Sequence, residues 1–142
     1  QKQNRPNAKA AFHHTLQWRQ THSIDTILSR PHTKFDLCRA IFPVYIPGRD
    51  VHGNLIIVQR PGMFDMAVLG RNKNVVTTQD VLLHYIYVVE YCWNILDPGP
   101  PDRTMTVILD LEEVRWTTFR DREKRSFMLK FVKTMSDHYP QR

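Results

Sequence analysis

Carboxylates gathered just beyond an apolar run give this sequence its most enzyme-like stretch. Val107-Ile108-Leu109-Asp110 leads into Glu112 and Glu113, the kind of acidic strand end that holds magnesium in nucleotide-binding proteins. That chemistry also needs a Gly-rich phosphate loop ending in Gly-Lys-Ser/Thr, and the sequence has none, nor any G-x-G-x-x-G. The acidic groups are therefore expected at solvent or capping a turn. The histidines offer no His-x-x-x-His pair, and the adjacent His13 and His14 cannot share one helical face. Solvent exposure is their expected state. Cys38 and Cys92 lie far apart in apolar stretches, without zinc spacing or a catalytic signature, and read as buried reduced thiols of a cytosolic protein. No Gly-x-Ser-x-Gly elbow is present. The residues point to no enzyme, no metal and no cofactor.

Charge is the second chemical feature. The net charge of +6 favours a negatively charged partner. Arg122, Arg125, Lys130 and Lys133 form a basic stripe on an expected helix whose opposite face carries Phe127, Phe131 and Met135. A solvated face is the ordinary explanation, and attraction to a transient anionic membrane surface is the functional one. The basic residues carry no nucleic-acid recognition motif, so no nucleic-acid partner is expected.

The elements that would position these groups follow from periodicity. Ala8, Ala11, Phe12, Thr15 and Leu16 give an expected helix over about 7–22 an apolar face. Ser23 is placed to cap a short helix over 24–28, and another short helix is expected over about 36–42. Val44-Tyr45-Ile46 and Leu55-Ile56-Ile57-Val58 read as a hairpin with a long loop over 47–54. One or two helical turns fit 63–69. Thr77 or Thr78 caps a helix running to Leu96, apolar around most of its circumference and so packed on more than one side. Its apolar run, 81–96, falls short of the ~20 residues of a membrane span, and a soluble protein is expected. Asp97-Pro98-Gly99-Pro100-Pro101 stops it. The run over 104–111 reads as a buried central strand, and a last helix is expected over about 119–137. Alternating strands and helices make an α/β layered domain. With three strands and a final helix that feeds none, the chain reads as incomplete, consistent with its start on Gln1 rather than Met.

Three linked stretches carry a resemblance. They are Lys9-Ala10-Ala11-Phe12 with Gln17-Trp18-Arg19 and Ile24-Asp25-Thr26-Ile27-Leu28; then Asp50-Val51-His52-Gly53-Asn54 between two strands; then Val107-Ile108-Leu109-Asp110-Leu111 with a helix ending Ser136-Asp137-His138-Tyr139-Pro140-Gln141-Arg142. In order and spacing they resemble the CRAL-TRIO lipid-binding domain of phosphatidylinositol/phosphatidylcholine transfer proteins. The resemblance implies a mixed sheet flanked by helices, with 1–35 as the end of a small helical subdomain and 36–142 as the N-terminal half of the lipid-binding domain. It also departs from the family. Leu55 replaces a usual Pro, Glu113 a usual Gly, and Gln141 the Glu of Tyr-Pro-Glu-Arg, which makes Gln141 the headgroup-region candidate.

Where phosphatidylcholine-binding members hold the headgroup with Tyr, Tyr, Ser and Thr, the aligned residues are Ile46, Ile57, Met105 and Val107. With Leu109 these are the ligand-pocket candidates. None can donate a hydrogen bond, and each unsatisfied polar group would cost about 1–3 kcal/mol. The expectation is a cytoplasmic, peripherally membrane-associated monomer. It would bind and transfer a phospholipid or other hydrophobic small molecule, with phosphatidylcholine disfavoured. The alternative is a protein-interaction module that keeps the fold without lipid.

Overall fold

The structure, a computed structural model, describes residues 5–99, 104–114 and 120–139. Helix α1 (Arg5–Thr21) is followed by a 3-10 helix, Ile24–Ser29, and by α2 (Phe35–Ile41). Strands β1 (Val44–Arg49) and β2 (Leu55–Gln59) come next, then a 3-10 turn at Pro61–Met63 and α3 (Met66–Arg71). Helix α4 (Thr78–Tyr91) runs into a π turn, Cys92–Leu96. Strand β3 (Thr106–Leu109) and helix α5 (Arg122–His138) complete the described elements. The sheet is mixed, in the order β1-β2-β3, with β1 and β2 antiparallel and β2 and β3 parallel. The α/β class expected from the sequence, a mixed sheet flanked by helices, is the one observed.

Helix α4 is the axis of the molecule, and its start is built locally. The Thr77 side chain accepts from the Asp80 N–H while the Asp80 carboxylate accepts from the Thr77 N–H, a reciprocal capping box. Beyond it Val81, Leu82, Tyr85, Ile86 and Val89 are buried among helices, while Cys92 and Val88 face the sheet. The helix thus packs on two sides, as its composition required. The larger cluster centres on an aromatic group from four segments. Phe42 meets Phe64, Tyr85, Phe127 and Phe131 edge-on at 5.6–6.2 Å, and Phe64 stacks on Phe127 at 4.5 Å. Phe127 and Phe131 are the core face of α5, whose start is capped by Asp121 accepting from the N–H groups of Glu123 and Lys124.

Several expectations are corrected. The apolar face of α1 is exposed, with Phe12 at 61% and Leu16 at 40%. The helix docks instead through Trp18, which stacks on His138 at 4.1 Å, and through Thr15, whose hydroxyl reaches the Asp137 carbonyl and His138. Ser23 occupies the cap position but makes no capping hydrogen bond, because it sits in the left-handed region at φ 51. Strand β1 continues through Pro47 and Gly48, residues read from sequence as loop. Between Tyr45 and Gly48 the register shifts, and such a bulge on an edge strand tolerates a proline that cannot donate to the ladder. Gly48, at φ 147, supplies a conformation that side-chain-bearing residues rarely adopt. Strand β3 lies at the edge of the described sheet rather than at its centre, and Val107, Ile108 and Leu109 are all exposed.

One buried carboxylate joins three helices. Glu90 of α4 accepts from the Arg19 guanidinium of α1 at 2.8 Å, from the Tyr139 hydroxyl beyond α5 at 2.7 Å, and from the Asn94 amide at 3.1 Å. Arg19 also holds Asp25 at 2.6 Å. Removing the guanidinium leaves a buried charge with fewer donors, so Arg19→Ala should lower stability by about 3 kcal/mol, read from the denaturant midpoint at unchanged slope. Gly62 offers a second test. A Cβ there would lie 2.3 Å from the Glu112 carbonyl oxygen, so Gly62→Ala should destabilise by about 1–3 kcal/mol by forcing the two backbones apart.

Candidate hydrophobic-ligand face

Strand alternation sorts the sheet into two faces. Leu55, Ile57 and Gln59 point to one, and each is buried. The parallel register pairs Ile57 with Val107 and Gln59 with Leu109, which extends that face across β3. On it Leu55, Ile57 and Cys92 form a small core, packed by Val44, Ile46, Val88 and Met105. Three of the five pocket candidates, Ile46, Ile57 and Met105, are therefore gathered under α4. Val107 and Leu109 continue the same face but stand open, 50% and 57% exposed. Ile46 also borders a groove of about 400 Å³ with Val44, Val88, Phe35, Tyr87 and Tyr91. The five do not enclose one common cavity among the described residues. They form a continuous apolar surface, covered at β1 and β2 and uncovered at β3.

Polar side chains lie at one end of this face and on the opposite one. Gln59 donates its amide to the Tyr85 hydroxyl, both side chains being buried. The pair lies where the face reaches Leu109 and was missed from sequence, although the alternation 55, 57, 59 carries the signal. Thr106 points to the other face and donates to Asp50 at 2.8 Å. Asp50 anchors the hairpin turn through its own carboxylate, which accepts from the N–H groups of His52 and Asn54. Asp110 accepts from the Glu112 N–H at 2.9 Å and from Arg60 at 2.8 Å, and these hold it below the usual carboxylate range. With Glu112 also on Arg60 at 2.7 Å, the magnesium-like acidic strand end is an ion-paired turn.

Burial pushes both thiols up, Cys38 and Cys92 each to about 11, and both are free. They are protonated and poorly nucleophilic at neutral pH. The basic candidates divide. Lys133 is paired with Asp137 at 2.7 Å along its own helix. Arg125 is exposed, while Arg122 and Lys130 border a groove with the α3–α4 connection. Gln141 lies outside the described residues. Among the described residues no helix is long and apolar enough to cross a membrane.

Sheet, helical cover and apolar face define an α/β domain organised around a hydrophobic surface. A family model, that of the CRAL/TRIO domain, matches residues 41–142, well over half of the sequence. The chain belongs to the CRAL/TRIO domain family, whose general property is binding of lipids and other small hydrophobic molecules. No curated protein matches it.

A histidine pair joins the segment before α2 to α4 beside this groove. His84 Nδ1 lies 3.0 Å from His32 Nε2, with Phe35 and Tyr87 edge-on to His32. Burial, then the nearby His32 and Arg39, lowers His84 to about 4, and burial also lowers His32. Both are neutral at pH 7, so one ring donates to the other. The unfolded chain takes up these protons first, near pH 6.5. Stability should therefore be full above about pH 7 and fall as pH drops toward 4, with His84 alone contributing a loss of about 3 kcal/mol by pH 4. Thermal melts across that range should show the acid limb, and His84→Gln, which cannot protonate, should flatten it.

Proposed function

We propose that the chain binds one phospholipid or other hydrophobic small molecule against the β2–β3 face and carries it between membranes, without catalysing a reaction. The observation that supports this is the unbroken apolar surface from Ile46, Ile57 and Met105 to the open Val107 and Leu109. A ligand chain laid on the open part removes that surface from water, worth about 25 cal/mol per Å². None of the five side chains can satisfy a choline-phosphate headgroup, so the cargo is a lipid other than phosphatidylcholine, or one whose headgroup is held elsewhere. The protein would visit the cytoplasmic face of an anionic membrane as a monomer, with Arg122, Arg125 and Lys130 toward it.

Ligand extraction tests this directly. The purified chain should release a hydrophobic compound to organic solvent, identified by mass spectrometry, with phosphatidylcholine depleted relative to the cell's lipids. Val107→Asp puts a charge on the half-exposed face and should cut occupancy roughly tenfold, the effect of burying an unpaired carboxylate, while the melting temperature changes little. A second reading, a protein-interaction module, is favoured by Ile108, exposed on the opposite face of β3, and by Leu111, exposed just beyond the strand. Empty protein that exchanges no lipid with vesicles would select it.

A further inference from the structure

The chain has five methionines, all within the described residues. Four of them belong to apolar packing. Met66, Met128 and Met135 lie against the helical core, and Met105 lies against the small core beneath α4. Met63 is part of neither. It ends the 3-10 turn after β2, half-buried, and its sulfur faces two hydrogen-bond donors. Arg60 Nη1 donates to it at 3.1 Å, and the hydroxyl of exposed Tyr45 on β1 donates at 4.0 Å.

Arg60 is matched at two of its three nitrogens. Its Nε holds Asp110 at 2.8 Å and its Nη2 holds Glu112 at 2.7 Å. The third nitrogen is turned to a thioether, a weak acceptor. A guanidinium donor is far better matched by an oxygen that carries negative charge. A sulfoxide oxygen is such an acceptor. Placed on this sulfur, it comes within reach of Arg60 by rotation of the flexible Met63 side chain.

We propose that Met63 is a site of reversible oxidation by peroxide, its sulfoxide held by Arg60 and Tyr45. The sulfur lone pair attacks one peroxide oxygen, an S–O bond forms and the O–O bond breaks. Sulfur loses two electrons and the peroxide gains them. The departing hydroxide takes the proton of the transferred oxygen and leaves as water. Arg60 and Tyr45 donate first to that departing hydroxide and then to the sulfoxide. A thiol-dependent sulfoxide reductase reverses the change, two thiols becoming a disulfide and the oxygen leaving as water. At the other four methionines the new oxygen would enter apolar packing and disrupt it. At Met63 it completes the set of acceptors around Arg60 and ties the turn after β2 more firmly to the turn after β3. The site does not depend on what the sheet face carries.

Peroxide titration of the whole chain, read by peptide mass spectrometry, tests this. Met63 should gain its oxygen at least roughly tenfold faster than Met66, Met105, Met128 or Met135. At a dose that converts Met63 alone, the melting temperature should hold or rise. Arg60→Lys keeps a charge beside Asp110 but loses the third nitrogen, and Tyr45→Phe loses the hydroxyl. In each variant the same oxidation should lower the melting temperature by about 2–5 °C. Each oxidised protein is compared with its own reduced form, which cancels the cost of the substitution itself. Met63→Leu should melt unchanged after the same treatment. No oxidation of Met63, another methionine converting as fast, or an equal fall in wild type and both variants would overturn the proposal.

Discussion

A carboxylate taken out of water must be answered by donors, and Glu90 is the place where this chain meets that demand. Its neighbours come from three directions: Arg19 from the first helix, Asn94 from the π turn, and Tyr139 from beyond the last helix. Burial, reinforced by the hydrogen bond to Glu90, pushes the Tyr139 phenol up, so it remains a donor. The stacking of Trp18 on His138 depends on the same placement of α1. An unanswered charge here would cost several kcal/mol, so α1 and the end of α5 are held to one arrangement across α4. The aromatic cluster of Phe42, Phe64, Tyr85, Phe127 and Phe131 then fills the space beneath.

Because α4 is fixed from the helical side, its other side can serve the sheet. Val88 and Cys92 cover Ile46, Ile57 and Met105, and the π turn brings Asp97 to Arg49 at 2.9 Å. Arg49 also donates to the carbonyls of Gly53 and Leu96, so one guanidinium ties the hairpin turn to the end of the helix. The cover ends before β3. The apolar face is thus half core and half open surface, and one stretch of helix sets the border between them.

Local signals were the legible part. The Thr77 to Asp80 box, the apolar run after it and the alternation in β2 each specify an element through neighbours a few residues away, and the structure has those elements. Distant pairings were not legible. Nothing near Glu90 names Arg19 as its partner, and His84 and His32 meet only because two segments pack together. The exposed apolar stripe of α1 shows periodicity without burial, since the helix docks on Trp18 instead. Pro47 misled for a different reason: a bulge lets a strand pass through a residue that normally ends one. For the ligand face, alternation allows Ile57 and Val107 one side of the sheet, the register pairs them, and neither signal says how far α4 extends over them. For Gln59, alternation places the side chain on the inner face, but nothing near it names Tyr85 of α4 as its partner.

The bulge has a further consequence for assembly. At β1, the missing Pro47 donor and the shifted register spoil the ladder that an incoming strand would need. At β3, the backbone is regular, and Val107, Ile108 and Leu109 put exposed apolar side chains on both faces. The two margins of the described sheet are therefore unequal, one blunted against strand addition and the other suited to it. Growth of this sheet, whether by more of its own fold or by stray self-association, has a direction built into it.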